Sequence, residues 1–380
     1  MNTFFCHLPY SKERGLGIIA KGVRDCFVFP DNVTEEDWNQ LESWLQKWKG
    51  QWILSISGFE SGFCFLQISI SNKDITQAPQ GVWVVPQEIE VLVNNYLLDT
   101  NLTVNQPHFG GVETAMQYQS ELSKIHNHLL KGDIYETNYC TYLQSEMDWT
   151  NPYDIWKKLY TANPAPFAGY WQWNHHHLLC LSPERFIQKI DHQIISQPIK
   201  GTIKRGENPA LDNDLKNQLL HHPKERNENV MIVDLVRNDL SRVATKGSVK
   251  VKELFGIYTF PKLHHMISTV ECQVNTDEKI TNIFRATFPM GSMTGVPKKR
   301  AVELMHKYEK SARGWYSGTM GYIQPSGDFD FNVIIRSIQY NHELKTGKIG
   351  IGSAITLQSN PESEWNECWL KAQSLIQPLS

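Results

Sequence analysis

SPERFIQKIDHQIISQPIKGT, residues 182–202, holds two strand-like runs, an acid and an amine in one short segment. Residues 185–190 and 194–200 are partly apolar and β-branched and flank Asp191, His192 and Gln193, so they predict two antiparallel strands joined by a short turn. That turn places Glu184 opposite Lys200, with Cβ atoms roughly 5 Å apart. A carboxyl group and an amine then share one small volume. The pair is either a cross-strand salt bridge or the core of a reactive site, and Gly201 beside the lysine lets backbone come close.

Downstream, HPKERNENVMIVDLVRNDL at 222–240 predicts a helix with Pro223 at its first position and Ile232 and Leu235 on its buried stripe. Glu225 and Glu228 continue that stripe at i, i+3, i+7, i+10 spacing, so two carboxylates lie on a face expected to be covered. Desolvating such anions costs on the order of several kcal/mol each unless cations or hydrogen bonds compensate. Glu364 and Glu367, after Pro361, repeat the i, i+3 spacing. There Trp365, Trp369, Ala372 and Ile376 predict the buried stripe, and Glu367 with Lys371 reads as a surface i, i+4 pair. Two glutamate pairs in a chain without zinc-ligand spacing suggest Mg²⁺ held partly through water, which implies an anionic substrate. Gly347, Gly350 and Gly352 are expected to end a strand and open a bend whose N–H groups cradle a carboxylate. Arg336, alternating with apolar neighbours on an expected strand, suits either bidentate carboxylate binding or a structural ion pair. GSMTGVPK at 291–298 lacks a Gly-Lys-Ser/Thr and gives no support for nucleotide binding.

With 37 basic and 40 acidic residues well mixed, and a net charge of −3, the 380-residue chain has no electrostatic footprint for nucleic acid or an acidic membrane. No apolar run is long enough to span a bilayer and the N-terminus lacks a signal-peptide pattern, so a cytosolic protein is expected. The seven cysteines are scattered and read as reduced thiols. Residues 1–110 are expected to be scaffold, with strands at Trp52–Ile56, Phe63–Ile70 and Val82–Val85 and a helix at Glu35–Trp48; residues 111–380 carry the reactive side chains. After a loop at Asn105–Gly111, Tyr118, Leu122, Ile125 and Leu129 predict a helix stopped by Gly132. The strand expected over Ile134–Leu143 then puts Glu136, Asn138 and Cys140 on one face. His175–His177 is expected at a hairpin turn, since a metal site needs convergent ligands, not adjacent ones.

Ten motifs in order, GDIYETN at 132, SPERF at 182, PIKGT at 198, ERNENVMIVDLVRNDLSRV at 225, HHMIS at 264, MTGVPKKRA at 293, RGWYSGTMGY at 313, IIRS at 334, GIGSAI at 350 and EWNE at 364, resemble the chorismate-utilising enzymes. That family contains component I of anthranilate synthase, component I of aminodeoxychorismate synthase, isochorismate synthase and salicylate synthase. The resemblance covers about residues 112–376. It implies an α+β fold of the anthranilate synthase component I kind, with large β-sheets packed face to face, helices outside and the site in a cleft between them. It further implies that Glu228 and Glu367 are the principal Mg²⁺ ligands, with Glu225 and Glu364 close by. Tyr316, Arg336, Gly350 and Gly352 would hold the carboxylates of chorismate, and Lys371 would assist near the metal. Gly201 and Thr202 would contact the ring, while His265 and Glu184 would help the C4 hydroxyl leave.

Within the family, a lysine at the position of Glu136 activates water in the isochorismate and salicylate branch, and glutamine is usual in the amine-forming branches. Glu136 therefore disfavours water addition and departs from the amine-forming pattern as well. Where anthranilate synthases usually carry alanine, this chain has Lys200, as the aminodeoxychorismate branch does. The resemblance thus implies amination of chorismate to 4-amino-4-deoxychorismate for folate synthesis. Lys200 would be the nucleophile, and ammonia would come from a separate glutaminase subunit. Anthranilate formation is the second reading and isochorismate formation a more distant one. A nucleophilic lysine must be neutral when it attacks, so burial or nearby cations are expected to lower its pKa, and Glu184 is expected to act as an acid.

Overall fold

The computed structural model describes residues 2–94 and 107–379. The loop expected at Asn105–Gly111 therefore lies partly outside the described residues. The chain opens with β1 (Phe4–Leu8) and β2 (Gly17–Val28), two strands that the sequence reading did not anticipate. Helix α1 (Glu35–Lys47) follows, started by a capping box in which Thr34 and Asp37 satisfy each other's backbone N–H groups. β3 (Ile53–Ser57) and β4 (Gly81–Leu92) match expected strands. Phe63–Ile70 does not: residues Phe59–Leu66 form a 3₁₀ helix, and Phe59 and Phe63 bury themselves against Val302 and Met305 rather than within a sheet.

β5 (Gly110–Gly111) leads to α2 (Ala115–Leu130), whose Tyr118, Leu122, Ile125 and Leu129 are all buried, and Gly132 beyond it takes φ +74°. Next come β6 (Glu136–Glu146), α3 (Pro152–Ala162), β7 (Gly169–Trp173) and β8 (His176–Cys180). The β7–β8 turn lies at Asn174 and His175, so His176 and His177 are strand residues.

The hairpin at 182–202 differs from its expected register. β9 (Arg185–Ile190) and β10 (Gln193–Gln197) are joined by the two-residue turn Asp191–His192, and Gln197 pairs with Arg185. Pro198, which has no N–H to donate, separates β10 from β11 (Ile199–Lys204), and β11 pairs with β13 (Leu263–Gln273) but not with β9. Glu184 therefore does not stand opposite Lys200 on a shared ladder.

The remaining elements are α4 (Pro209–His221), α5 (Pro223–Ser241), β12 (Lys250–Thr259), β13 (Leu263–Gln273), α6 (Ile280–Thr287), β14 (Gly295–Val296), α7 (Lys298–Tyr308), β15 (Thr319–Ile323), β16 (Phe329–Asn332), β17 (Ser337–Asn341), β18 (Thr346–Ile355) and α8 (Pro361–Ile376). All pairings among the described strands are antiparallel. Starting from β12 they run through β13, β10, β9, β16, β15, β3, β4 and β2 to β1. From β1 the ladder continues through β7, β8, β17 and β18 to β6. The two halves bury facing residues against each other, among them Leu8, Ile18, Leu54 and Val84 with Trp171 and Leu178. Outside, α1, α5 and α6 cover one half and α2, α3 and α8 the other. This is the α+β arrangement of face-to-face β-layers with external helices that the sequence motifs imply.

Three local expectations are corrected. Gly347, Gly350 and Gly352 lie inside β18, paired to Ser145, Tyr142 and Cys140 of β6, so they open no bend. At Gly350 the missing side chain makes room for Tyr316, because a Cβ there would lie 2.2 Å from the Tyr316 ring. Arg336 sits at φ +50° between β16 and β17, not on a strand. On α8 the fully buried stripe is Glu364, Cys368, Ala372 and Leu375, with Trp365, Trp369 and Ile376 only half-buried.

Candidate active site

Lys200 lies at a bulge where β11 shifts register against β13, with Gly201 at φ +91°. The bulge turns the lysine towards the first residue of β6. Its Nζ donates to Glu136 Oε1 at 2.8 Å, with the two side chains 9% and 0% exposed. Burial alone would lower the lysine pKa, but the charges of Glu136, Glu228 and Glu184 outweigh it, and Lys200 is held as an ammonium above its ordinary value. This corrects two expectations. The salt-bridge partner is Glu136 rather than Glu184, and the resting amine is charged, because three carboxylates surround it.

Glu184 lies close enough for Lys200 to influence its titration. Burial pushes its carboxyl up to about 7, against the opposing pull of the Ser292 hydroxyl, the Lys200 charge and the Ile199 amide. One of its oxygens, Oε1, is buried without a partner. A carboxyl group in this state is a competent proton donor near neutral pH.

Glu225 and Glu364 lie in the first turns of α5 and α8, where helix N-termini favour negative charge, and Glu228 and Glu367 follow one turn further in. Pro223 and Pro361 occupy N-terminal positions of these helices, and Asn360 caps α8 by accepting from Glu362 N and Ser363 N. Glu228 and Glu364 are buried, whereas Glu367 is about half exposed. Lys224 bridges the two helices, with its Nζ 2.8 Å from Glu364 Oε1 and 3.7 Å from Glu228 Oε1. Lys224 was not singled out from sequence, although its i, i+4 spacing to Glu228 was visible. Burial raises Glu228 to about 7 and also raises Glu225. For Glu367 burial acts in the same direction, but Lys371 at 2.7 Å holds it below its ordinary value.

Among the described residues no group of three or more His, Cys, Asp or Glu side chains is drawn together as a metal site. The donor chemistry nonetheless fits a hard divalent ion. Glu228 and Glu364 converge on one ammonium, and Glu228 Oε1 is buried without a hydrogen bond. Carboxylate oxygens with room for water are what Mg²⁺ takes.

On β13, His265 pairs with Thr202, and its Nδ1 is 2.8 Å from Thr202 Oγ1. Burial, with the charge of Arg336 and then His264, pushes His265 down to about 3, so its imidazole is neutral. Arg336 donates to Ser374 Oγ at 3.2 Å and makes no ion pair among the described residues, leaving its charge for a ligand. Lys371 Nζ donates to the Gly352 carbonyl at 2.8 Å. Tyr316 is buried beside Gly350, on a segment pinned from behind by Glu60, which accepts from Arg313 N and Gly314 N. Arg313 in turn donates to Glu309, Met293 O and Asn138 O. Sequence reasoning missed this buried network: Glu309 and Arg313 are four residues apart, but nothing in the spacing brings Glu60 to them.

The expected residues are thus linked. Gly201 packs against Glu225, Lys200 senses Glu228 and Glu184, and Glu367 senses Lys200, Lys224 and Lys371. Arg336 senses both Tyr316 and Glu367. The result is one cluster that holds an amine, a protonatable acid, two carboxylate pairs and a guanidinium.

The sequence profile of the family described as chorismate binding enzyme matches residues 46–377. The aminodeoxychorismate synthase of Arabidopsis thaliana, described as chloroplastic, is 39% identical over 373 residues, covering 97% of this chain and 38% of that protein. Aminodeoxychorismate synthase component 1 of Salmonella typhimurium is 36% identical over 268 residues, 70% of this chain and 58% of that one. This chain therefore spans well under two thirds of the length of either relative. Anthranilate synthase component I of Streptococcus pneumoniae superposes with a TM-score of 0.84 at 20% identity, over 97% of this chain and 93% of that one, a likeness of fold. Among the described residues no helix is long and apolar enough to cross a membrane.

Proposed function

This chain belongs to the family of chorismate binding enzymes, and on that premise we propose that it is the chorismate-aminating component of an Mg²⁺-dependent, cytosolic aminodeoxychorismate synthase. It converts chorismate and ammonia to 4-amino-4-deoxychorismate, with the ammonia delivered by a glutaminase subunit. The observation that carries this reading is Lys200, a buried amine close enough to Glu184 to influence it, with Glu184 a carboxyl group that keeps its proton up to about pH 7. The names of the plant and bacterial relatives support the same branch.

In this reading Arg336, with Tyr316 and the β18 backbone at Gly350 and Gly352, binds and orients the substrate's carboxylates. Glu225, Glu228, Glu364 and Glu367 would hold Mg²⁺ once Lys224 withdraws from between them. When bound, such an ion would supply Lewis-acid charge to the substrate. The Lys200 amine attacks C2 of the ring while the C4 hydroxyl leaves as water, taking its proton from Glu184. Neutral His265, fixed by Thr202, would assist the departure of the same hydroxyl. Ammonia then adds at C4, its surplus proton returns to Glu184, and the C2–Nζ bond breaks to release the product with its enolpyruvyl group retained.

The test is to incubate the purified chain with chorismate, Mg²⁺ and ammonium and to identify the product by chromatography and mass. Aminodeoxychorismate is expected, and a glutaminase with glutamine should replace ammonium. Anthranilate or isochorismate as the sole product, or no turnover under either nitrogen supply, overturns the proposal.

A further inference from the structure

Lys200 must lose a proton before its nitrogen can form a bond, and the structure offers few places for that proton to go. The charged groups facing Nζ are Glu136 from β6, Glu228 and Glu225 from α5, Glu184 from the segment before β9, and Glu367 from α8. Only Glu136 touches it, at 2.8 Å. Glu184 accepts from Ser292 and the Ile199 amide and is itself proton-rich, so it serves as donor rather than acceptor. Glu228 and Glu364 are engaged with Lys224.

Glu136 is fully buried and its second oxygen, Oε2, has no hydrogen-bond partner among the described residues. An ion pair sealed from water in this way gains Coulomb energy but forgoes the solvation of both charges. Moving one proton across 2.8 Å converts it to an amine and a carboxylic acid, which removes that penalty without exchanging anything with solvent.

We propose that Glu136 is the proton acceptor that arms Lys200, taking a proton directly from Nζ onto Oε1 to create the nucleophile within the buried pair. The N–H bond of the ammonium breaks, an O–H bond forms on Glu136, and the electron pair left on nitrogen bonds to C2. When the C2–Nζ bond breaks in the second half of the reaction, the released amine recovers the proton from Oε1. The inference rests on the proposed function, since it needs Lys200 to be the nucleophile. It assigns to Glu136 a role that a glutamine at that position could not play, because a carboxamide does not accept a proton from an ammonium.

The test compares wild type with Glu136→Gln from pH 6 to 9.5, using chorismate, Mg²⁺ and ammonium. In wild type the proton shift is internal and adds no pH dependence of its own. In the variant the Lys200 proton must leave to solvent, so the ratio of variant to wild-type kcat should rise about tenfold per pH unit until the amine is fully titrated. Taking the ratio cancels the limb that Glu184 contributes to both proteins. A ratio independent of pH overturns the proposal, whether the variant is fast or slow.

Should the variant not fold, wild type alone decides. Mixed with chorismate and Mg²⁺ but no ammonium, in weak buffer at pH 6 with an indicator dye, it should form the Lys200 adduct, read by intact mass, with net uptake of one proton per adduct, because Glu136 keeps the lysine's proton while Glu184 is refilled from the buffer. Adduct formation without net proton uptake overturns the role of Glu136. Absence of the adduct, or a different product with ammonium, overturns the proposed function instead, so the two failures are distinct.

Discussion

Lys224 Nζ lies 2.8 Å from Glu364 Oε1, tying the first turn of α8 to the first turn of α5 with an ammonium between buried carboxylates. If the same place accepts Mg²⁺, lysine and metal compete for it. Lys224→Met should lower stability by about 1–3 kcal/mol without metal, a range reduced from that of a fully buried pair because Lys224 is partly exposed. Added Mg²⁺ should then raise the melting temperature of the variant more than that of wild type. Thermal unfolding with and without Mg²⁺ checks this, and no Mg²⁺ effect on either protein would remove the metal site.

Lys200 and Glu136 form a pair from which neither member can be removed alone at low cost. Lys200→Met leaves a buried carboxylate without its cation, which should destabilise the fold by about 3–5 kcal/mol. Combining it with Glu136→Gln should return at least half of that loss, measured by urea unfolding. Amination should be lost in both variants.

His265 gives a stability signal with a definite sign. Its folded pKa, about 3, lies below the ordinary value of 6.5, so its contribution is fully present above pH 6.5 and is lost as pH falls towards 3. Relative to His265→Asn, wild type should lose roughly 1.4 kcal/mol per pH unit below about pH 6. Denaturant unfolding at pH 7, 6, 5 and 4 should show the difference.

Under the proposed mechanism Glu184 should set the alkaline limb of activity. With its carboxyl pushed up to about 7, the protonated form needed by the departing hydroxyl disappears as pH rises through that value, so kcat should fall there. Glu184→Gln should lose roughly 10²–10⁴-fold in kcat.

Gly350 is required by its neighbour rather than by its own backbone. A methyl group at this position would meet the Tyr316 ring at 2.2 Å, so Gly350→Ala should displace Tyr316 at a cost of about 1–3 kcal/mol. Because Tyr316 lies beside the expected carboxylate site, KM for chorismate should rise more than kcat falls. Steady-state kinetics separate the two.

Local patterning made much of the frame legible. The i, i+4 stripe of Tyr118 to Leu129, the capped start at Pro223 and the i, i+3 spacing of Glu225 and Glu228 are properties of single segments, and each appears in the folded protein. The order of motifs was equally local and pointed to the family. What the sequence could not contain was the partner of Lys200. Glu136 and Lys200 are 64 residues apart, and they meet because Pro198 interrupts the hairpin and the bulge at Gly201 turns the lysine from β9 towards β6. A ladder register depends on turn length, and a two-residue turn in place of three shifts every cross-strand neighbour. The same applies to α8, where burial of Glu364 rather than Trp365 depends on how the helix rotates over β18 and against α5. Sequence thus determined which chemical groups are present and on which elements. Tertiary structure decided which carboxylate pairs with the lysine, because that depends on a contact of 2.8 Å between strands that are distant in the chain.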